Sequence, residues 1–486
     1  MIRARTPAAS RGTGGSAGVV GVLAFAGLAS TFMFTLVVPI QAQLPELLDA
    51  ERDDTAWVVT ITVLVSAVMT PISGRLGDLY GKRRIVLLLV ASMTVGSIMA
   101  ALVEGLAWMI VARALQGVMA GVIPLGMAIM RDVLPARRLP GAIALLSATL
   151  GIGGSLGLPV SALVTEHLHW RGLFWLSAAL GVLVFVLVAL RVPVSGTITG
   201  GRFDYVGAIG LATGIAAVLL AVSRGSVWGW GSPLTIGCAA GGVAILTLWG
   251  VHQWHARMPL LDLRVASRPA VLRTNLTSLA VGFSLFAANV LFPQILEIPR
   301  GSGAGFGMSL LVTSLLVMPS GIVILLISPL SGRLAARWGP RRLLITGCVA
   351  ILFAYSFVAA FHTELWHIVL ANVLVGVGIA FSFASVPLLI ISAVPAEDTG
   401  ASNGLNSLFR AVGTTSASAV LGAILAQLSL PEPPHYPSAD AFEVAFIVAA
   451  ATSALALLIS LSIPPTPPAA SRAAARVGPS VPPAVP

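Results

Sequence analysis

Residues 73–84 read SGRLGDLYGKRR and residues 331–342 read SGRLAARWGPRR, two segments identical at seven of twelve positions and offset by 258 residues. Each separates two long apolar runs, so the pair marks a duplicated arrangement rather than a recurring surface loop. A second pair supports this. AWMIVARALQGVMAG at 107–121 aligns with WHIVLANVLVGVGIA at 366–380 at an offset of 259, which sets Gly117 opposite Gly376 and Arg113 opposite Asn372.

The duplicated unit is a block of membrane spans. Of 486 residues, 57% are apolar and 9% charged, where a soluble domain carries about a quarter charged. Apolar runs of span length lie near 18–42, 55–74, 85–104, 106–130, 140–164 and 172–192, near 205–223 and 233–251, and near 272–296, 306–329, 343–361, 366–391, 400–428 and 441–463. The expected organisation follows: an N-terminal segment 1–17, a six-helix bundle 18–192, two inserted helices with linkers 193–271, a second six-helix bundle 272–463, and a Pro/Ala-rich tail 464–486 expected to be disordered.

Of the 28 basic residues, 22 fall on loops of one parity, including both repeat loops and the tail. Basic loops stay in the cytoplasm, so both termini are expected there, in a bacterial plasma (inner) membrane. Lys82 is the single lysine and precedes Arg83, so no nucleotide-binding Gly-Lys-Ser/Thr loop is present. The positive balance serves topology, and neither nucleotide nor nucleic acid is expected as a partner. Cys238 and Cys348 lie in apolar runs and are read as free thiols. The histidine pairs His167/His169 and His252/His255 lack acidic or Cys partners at ligand spacing, so no metal is expected.

GRLGDLYGKRR resembles the loop signature of the major facilitator superfamily, and RALQG at 113–117 resembles the fourth-helix motif of its proton-coupled exporters. RFDYVGAIG at 202–210, GSVWGWGSP at 225–233, MPLLDLR at 258–264 and the second loop are similar to the fourteen-helix drug:proton antiporter branch. The resemblance implies an all-α polytopic fold with 14 transmembrane helices, two six-helix bundles plus two inserted central helices. It also implies a non-enzymatic secondary exporter of small molecules, driven by a proton gradient and needing no bound cofactor.

In the first loop, Gly74 and Gly81 permit close approach and turning, while Asp78 beside Arg75, Lys82 and Arg83 can form a charge network between helices. The resemblance assigns Asp78 the role of a gating latch; topogenic arginines with a solvated Asp are the other reading. The second loop keeps Gly332, Arg333, Gly339 and Arg341 but has Ala336 where the acid would stand, leaving Asp204, Glu397 or Asp398 as substitutes.

Arg113 and Arg410 are the charges placed inside the hydrocarbon, a costly position that marks functional candidates. The resemblance makes Arg113 the coupling residue, with Gln116 and Gly117 beside it and Gln41, Gln43 or Thr35 of the first helix as possible partners. A structural Arg bonded to first-helix carbonyls is the alternative. Arg410 with Asn403, Asn406 and Ser407 forms a polar stripe, read as cavity lining or as packing. GIGGSLGLPVSAL at 151–163 keeps Gly153, Gly157 and Pro159 of an export-type fifth helix but has Leu158 between glycine and proline.

Many members of the branch this chain resembles carry an aspartate in the first helix, shortly before an Ala-Leu-Pro stretch. Aligned on Gln43, Leu44 and Pro45, that position is Leu36 here, and no Asp or Glu falls in a span interior. No carboxylate is then expected in the span interiors to pair with a lipophilic dication. Neutral, zwitterionic or weakly anionic amphiphiles are the expected substrates, with membrane lipid around a monomer. A proton-independent facilitator, a lipid or metabolite exporter, and a non-transporting sensor are the alternatives.

Overall fold

The computed structural model describes residues 13–37, 40, 44–167, 169–194, 202–300, 303, 305–395, 398–430 and 436–465. Gln41, Gln43, Glu397 and the tail from residue 466 lie outside them. Among the described residues thirteen helices are long and apolar enough to cross a membrane, and a further one, Leu139–His167, has 29 residues. The molecule is a multi-pass integral membrane protein. In lipid the backbone can satisfy its N–H and C=O groups only within the helix, so apolar runs of this length become helices throughout.

In chain order these are α1 (Thr13–Thr35), α2 (Trp57–Tyr80), α3 (Lys82–Leu102), α4 (Leu106–Val133), α5 (Leu139–His167), α6 (Gly172–Arg191), α7 (Tyr205–Trp228), α8 (Pro233–His255), α9 (Pro269–Glu297), α10 (Leu310–Trp338), α11 (Pro340–Ala360), α12 (Leu365–Ala393), α13 (Thr399–Gln427) and α14 (Ala439–Ser462). α4 tightens into a 3₁₀ turn at Val118–Gly121. Gly81 and Gly339, at φ 99° and 86°, make the same sharp turn between α2 and α3 and between α10 and α11, a backbone conformation that glycine adopts without strain.

Helices α1–α6 pack among themselves, as do α9–α14. One core runs through Leu23, Met33, Met93 and Ile129 in the first group; another runs through Phe292, Tyr355 and Phe446 in the second. The groups meet mainly at two crossings, α2 on α13 and α10 on α5. The inserted hairpin α7–α8 touches both groups by laying α7 against α2 and α13.

Candidate gating and coupling sites

The two repeat loops build equivalent contacts. A Cβ added to Gly74 would come within 2.5 Å of the Gly400 carbonyl oxygen at the start of α13, and one added to Gly332 within 2.5 Å of Gly141 Cα at the start of α5. Backbone thus meets backbone at the arginine-rich end of both crossings, and only glycine leaves room for it. The equivalence continues after each turn. Arg83 Nη2 donates to the Ala189 carbonyl (2.5 Å) at the end of α6, and Arg341 Nη2 donates to the Leu461 carbonyl (2.6 Å) at the end of α14. Each guanidinium satisfies orphan carbonyls at the negative end of a helix.

The single charge network expected around Asp78 is divided in the structure. Lys82, beyond the Gly81 turn, swings to the end of α4 and donates to Asp132 Oδ2 at 2.7 Å, with side chains 7% and 15% exposed. Arg83 is spent on α6. Asp78 is buried against the first turn of α13, its carboxylate 3.4 Å from where a Gly400 Cβ would stand. Its charged surroundings are Lys82, Arg75, Asp398 and Asp132. Asp398 therefore belongs to the first crossing and not to the second, where it was expected as a substitute. Asp204 serves neither: its oxygens hold the base of the inserted hairpin. At its arginine-rich end the second crossing meets through Gly332 on Gly141, while Arg333 is exposed on α10.

Sequence reasoning missed Arg131 and Asp132. Arg131, at the end of α4, reaches across to the other helix group: Nη1 donates to the Pro395 carbonyl (3.0 Å) and to Thr399 Oγ1, and Nη2 donates to the Val394 carbonyl (3.2 Å). The signal available was an Arg-Asp pair ending the fourth helix, counted above only toward topology.

Arg113 is 1% exposed. Nε donates to the Val58 carbonyl (3.2 Å) and Nη1 to Gln116 Oε1 (2.7 Å), while Gln116 Nε2 donates to Ser97 Oγ (2.8 Å). Val58 belongs to α2, so the carbonyl partner comes from the second helix rather than the first. Gly117 allows this approach, since a Cβ there would lie 2.6 Å from the Thr62 carbonyl oxygen. Thr35 faces elsewhere: its hydroxyl bonds to the Phe32 and Gly153 carbonyls. Leu36, 2% exposed, sits in an apolar cluster with Phe32, Val37 and Ile40.

The stripe on α13 lines one small internal space. Asn403, Asn406, Ser407 and Arg410 face it together with Phe383 of α12 and Ser278 of α9. Arg410 Cζ stands 5.3 Å from the Phe383 ring centroid, a cation–π contact that lessens the cost of a charge there. Asn406 Nδ2 donates to Asn275 Oδ1 at 3.0 Å, a partner that sequence did not suggest. On α5, Gly153 and Gly157 make room for Thr31 and Thr35 of α1, and Pro159 lies inside the helix. Their immediate work is packing α1 on α5.

Two helix bundles of membrane-length helices, with glycine crossings at one end and buried arginines between apolar helices, have the architecture of a membrane transporter. The chain matches the Major Facilitator Superfamily over residues 23–203 and 274–485, and it belongs to that family. The unmatched stretch contains the inserted hairpin. Multidrug resistance protein Stp of Mycobacterium tuberculosis (strain CDC 1551 / Oshkosh) is 30% identical over 419 residues, covering 84% of this chain and 76% of that protein. The Tetracenomycin C resistance and export protein of Streptomyces glaucescens is 26% identical over 408 residues, covering 81% and 72%. In fold the chain resembles the human organic anion transporter MFSD10 (TETRAN), with a TM-score of 0.65 at 15% identity over 92% of this chain and 99% of that one.

Proposed function

We propose that the protein is a secondary exporter carrying neutral, zwitterionic or weakly anionic amphiphiles out of a bacterial cytoplasm, by proton antiport, with its arginine-rich end in the cytoplasm. The observation that carries this is the pair of equivalent crossings, both drawn together at the arginine-rich end by Gly74 on Gly400 and Gly332 on Gly141. Contacts that are close-packed but hold few charges can part and re-form, as alternating access requires. The relatives named for drug resistance and export support the direction of transport.

Arg113 is the residue through which coupling is proposed to act. It is buried, bonded to Gln116 and a single carbonyl, and its Nη2 has no hydrogen-bond partner among the described residues. A substrate oxygen or a proton carrier that reached it when the helices part would complete it. Facilitated diffusion is the second reading, favoured by Leu36 in its apolar cluster at the position where the family resemblance leads one to expect an acid.

The test is efflux of a panel of neutral and charged dyes from energised cells, with and without an uncoupler, comparing wild type with Arg113→Ala. Efflux that stops with the uncoupler and in the variant supports antiport. Movement only down the dye gradient, indifferent to the uncoupler, assigns the protein as a facilitator.

A further inference from the structure

The duplication produces two equivalent seams between the helix groups, and the inserted hairpin covers one of them. Leu211 and Ile215 of α7 are buried with Val68 and Ile72 of α2 and with Leu405 and Leu408 of α13. The base of the hairpin is buckled down. Asp204 accepts from Gly207 N (2.8 Å), Gln253 Nε2 (2.7 Å) and Leu260 N (3.3 Å), and Gln253 Oε1 accepts from Leu261 N (3.2 Å). This lays Leu260 and Leu261, 1% and 2% exposed, against the same seam. At the far end Arg224 stands 4.8 Å over the Trp57 ring of α2.

Among the described residues the α5/α10 seam carries no such cover. Besides α5, the helices that pack closely on α10 are α9, α11 and α12, and its outer surface presents exposed Leu325, Leu326 and Leu330. At mid-height Ile324 presses on α5: a Cβ on Gly151 of α5 would come within 2.5 Å of Ile324 Cδ1. Gly151 and Ile324 also line a cavity of about 50 Å³, together with Asn289, Ser320 and Asn372. Asn372 occupies the position that the repeat gives to Arg113, and its shorter side chain, bonded to the Val317 carbonyl at 3.0 Å, holds no guanidinium in that space.

We propose that substrate dissolved in the lipid enters between α5 and α10, past Ile324, into the space lined by Asn289, Ser320 and Asn372, because the inserted hairpin has closed the α2/α13 route. This rests on the exporter reading above. Parting Ile324 from Gly151 exchanges one apolar neighbour for another, since acyl chains are as apolar as isoleucine. Parting α2 from α13 toward the lipid requires peeling α7 and its polar buckle away. The three polar side chains at the cavity fit an uncharged amphiphile with a hydrogen-bonding head, the group that most needs a partner on leaving the headgroup region.

The experiment uses the full-length protein in energised membrane vesicles with Nile red, a neutral lipophilic dye. A photoreactive benzoylphenylalanine is placed at Leu325 on α10 or, as the comparison, at Ile209 on the lipid face of α7. Both positions are exposed, so the core is undisturbed. Expected are energy-dependent wild-type efflux, dye attachment several-fold greater at 325 than at 209, and loss of that difference in Ile324→Trp. Efflux with equal attachment at both sites, or greater attachment at 209, overturns the α5/α10 route while leaving the exporter reading intact. No energy-dependent efflux of Nile red or any dye of the panel overturns both.

Discussion

Gly74 lies against Gly400 so closely that a methyl group on Gly74 would fall 2.5 Å from the Gly400 carbonyl oxygen. Backbone cannot yield as a side chain can, so Gly74→Ala must hold α2 and α13 apart at the arginine-rich end. Overpacking of this kind costs about 1–3 kcal/mol, which tilts the balance toward the opened state by roughly five- to over a hundred-fold. Gly81, with nothing near its Cβ position but φ 99°, is the control: Gly81→Ala strains a turn without spreading the crossing. Reaction of a cysteine placed at Ser402 with a water-soluble maleimide reads the opening. Equal reactivity in the two variants would refute it.

Arg131 joins α4 to the end of α12 and the start of α13 through three acceptors. Arg131→Ala is expected to raise the same maleimide reactivity and slow efflux. Arg131→Lys is not expected to restore either, because an ammonium lacks the planar fork that spans three acceptors. Rescue by lysine would show that charge alone matters.

Lys82 and Asp132 form a pair largely withdrawn from water. Removing one partner strands the other, at about 3–5 kcal/mol. Lys82→Met and Asp132→Leu should each lower the midpoint of thermal unfolding in detergent markedly, while the double variant recovers most of the loss. An additive double variant would mean the two groups do not depend on each other.

The buckle at Asp204 carries a pH dependence. Burial opposes its charge, but the Gly207 N–H, Gln253 and His252 outweigh it and hold the carboxyl below its usual range. A depressed folded-state pKa adds stability above the unfolded value, about 3.9, and loses it as pH falls through the lower folded value. Wild type should therefore exceed Asp204→Asn in thermal midpoint at neutral pH, the margin shrinking as pH falls below the unfolded value and disappearing once it passes through the lower folded one. A margin that persists there would assign the effect to packing.

Much of this protein was legible in its letters. Fourteen apolar runs became fourteen helices because lipid offers the backbone no other partner, and the repeat at 73–84 and 331–342 announced the paired crossings because glycine is the residue that close backbone approach requires. Arg113 and Arg410 stood out because charge within apolar sequence is rare. Partners were another matter. Lys82 and Arg83 are adjacent, yet a turn at Gly81 sends one to Asp132 on α4 and the other to Ala189 on α6. Arg113 bonds to α2 rather than α1, and the Asp204 buckle joins residues some fifty positions apart. Periodicity along a chain decides which residues share a helix and face lipid. Which helix end meets another, and so which donor finds which acceptor, depends on how the two bundles and the hairpin pack, and that was decided only in the tertiary structure.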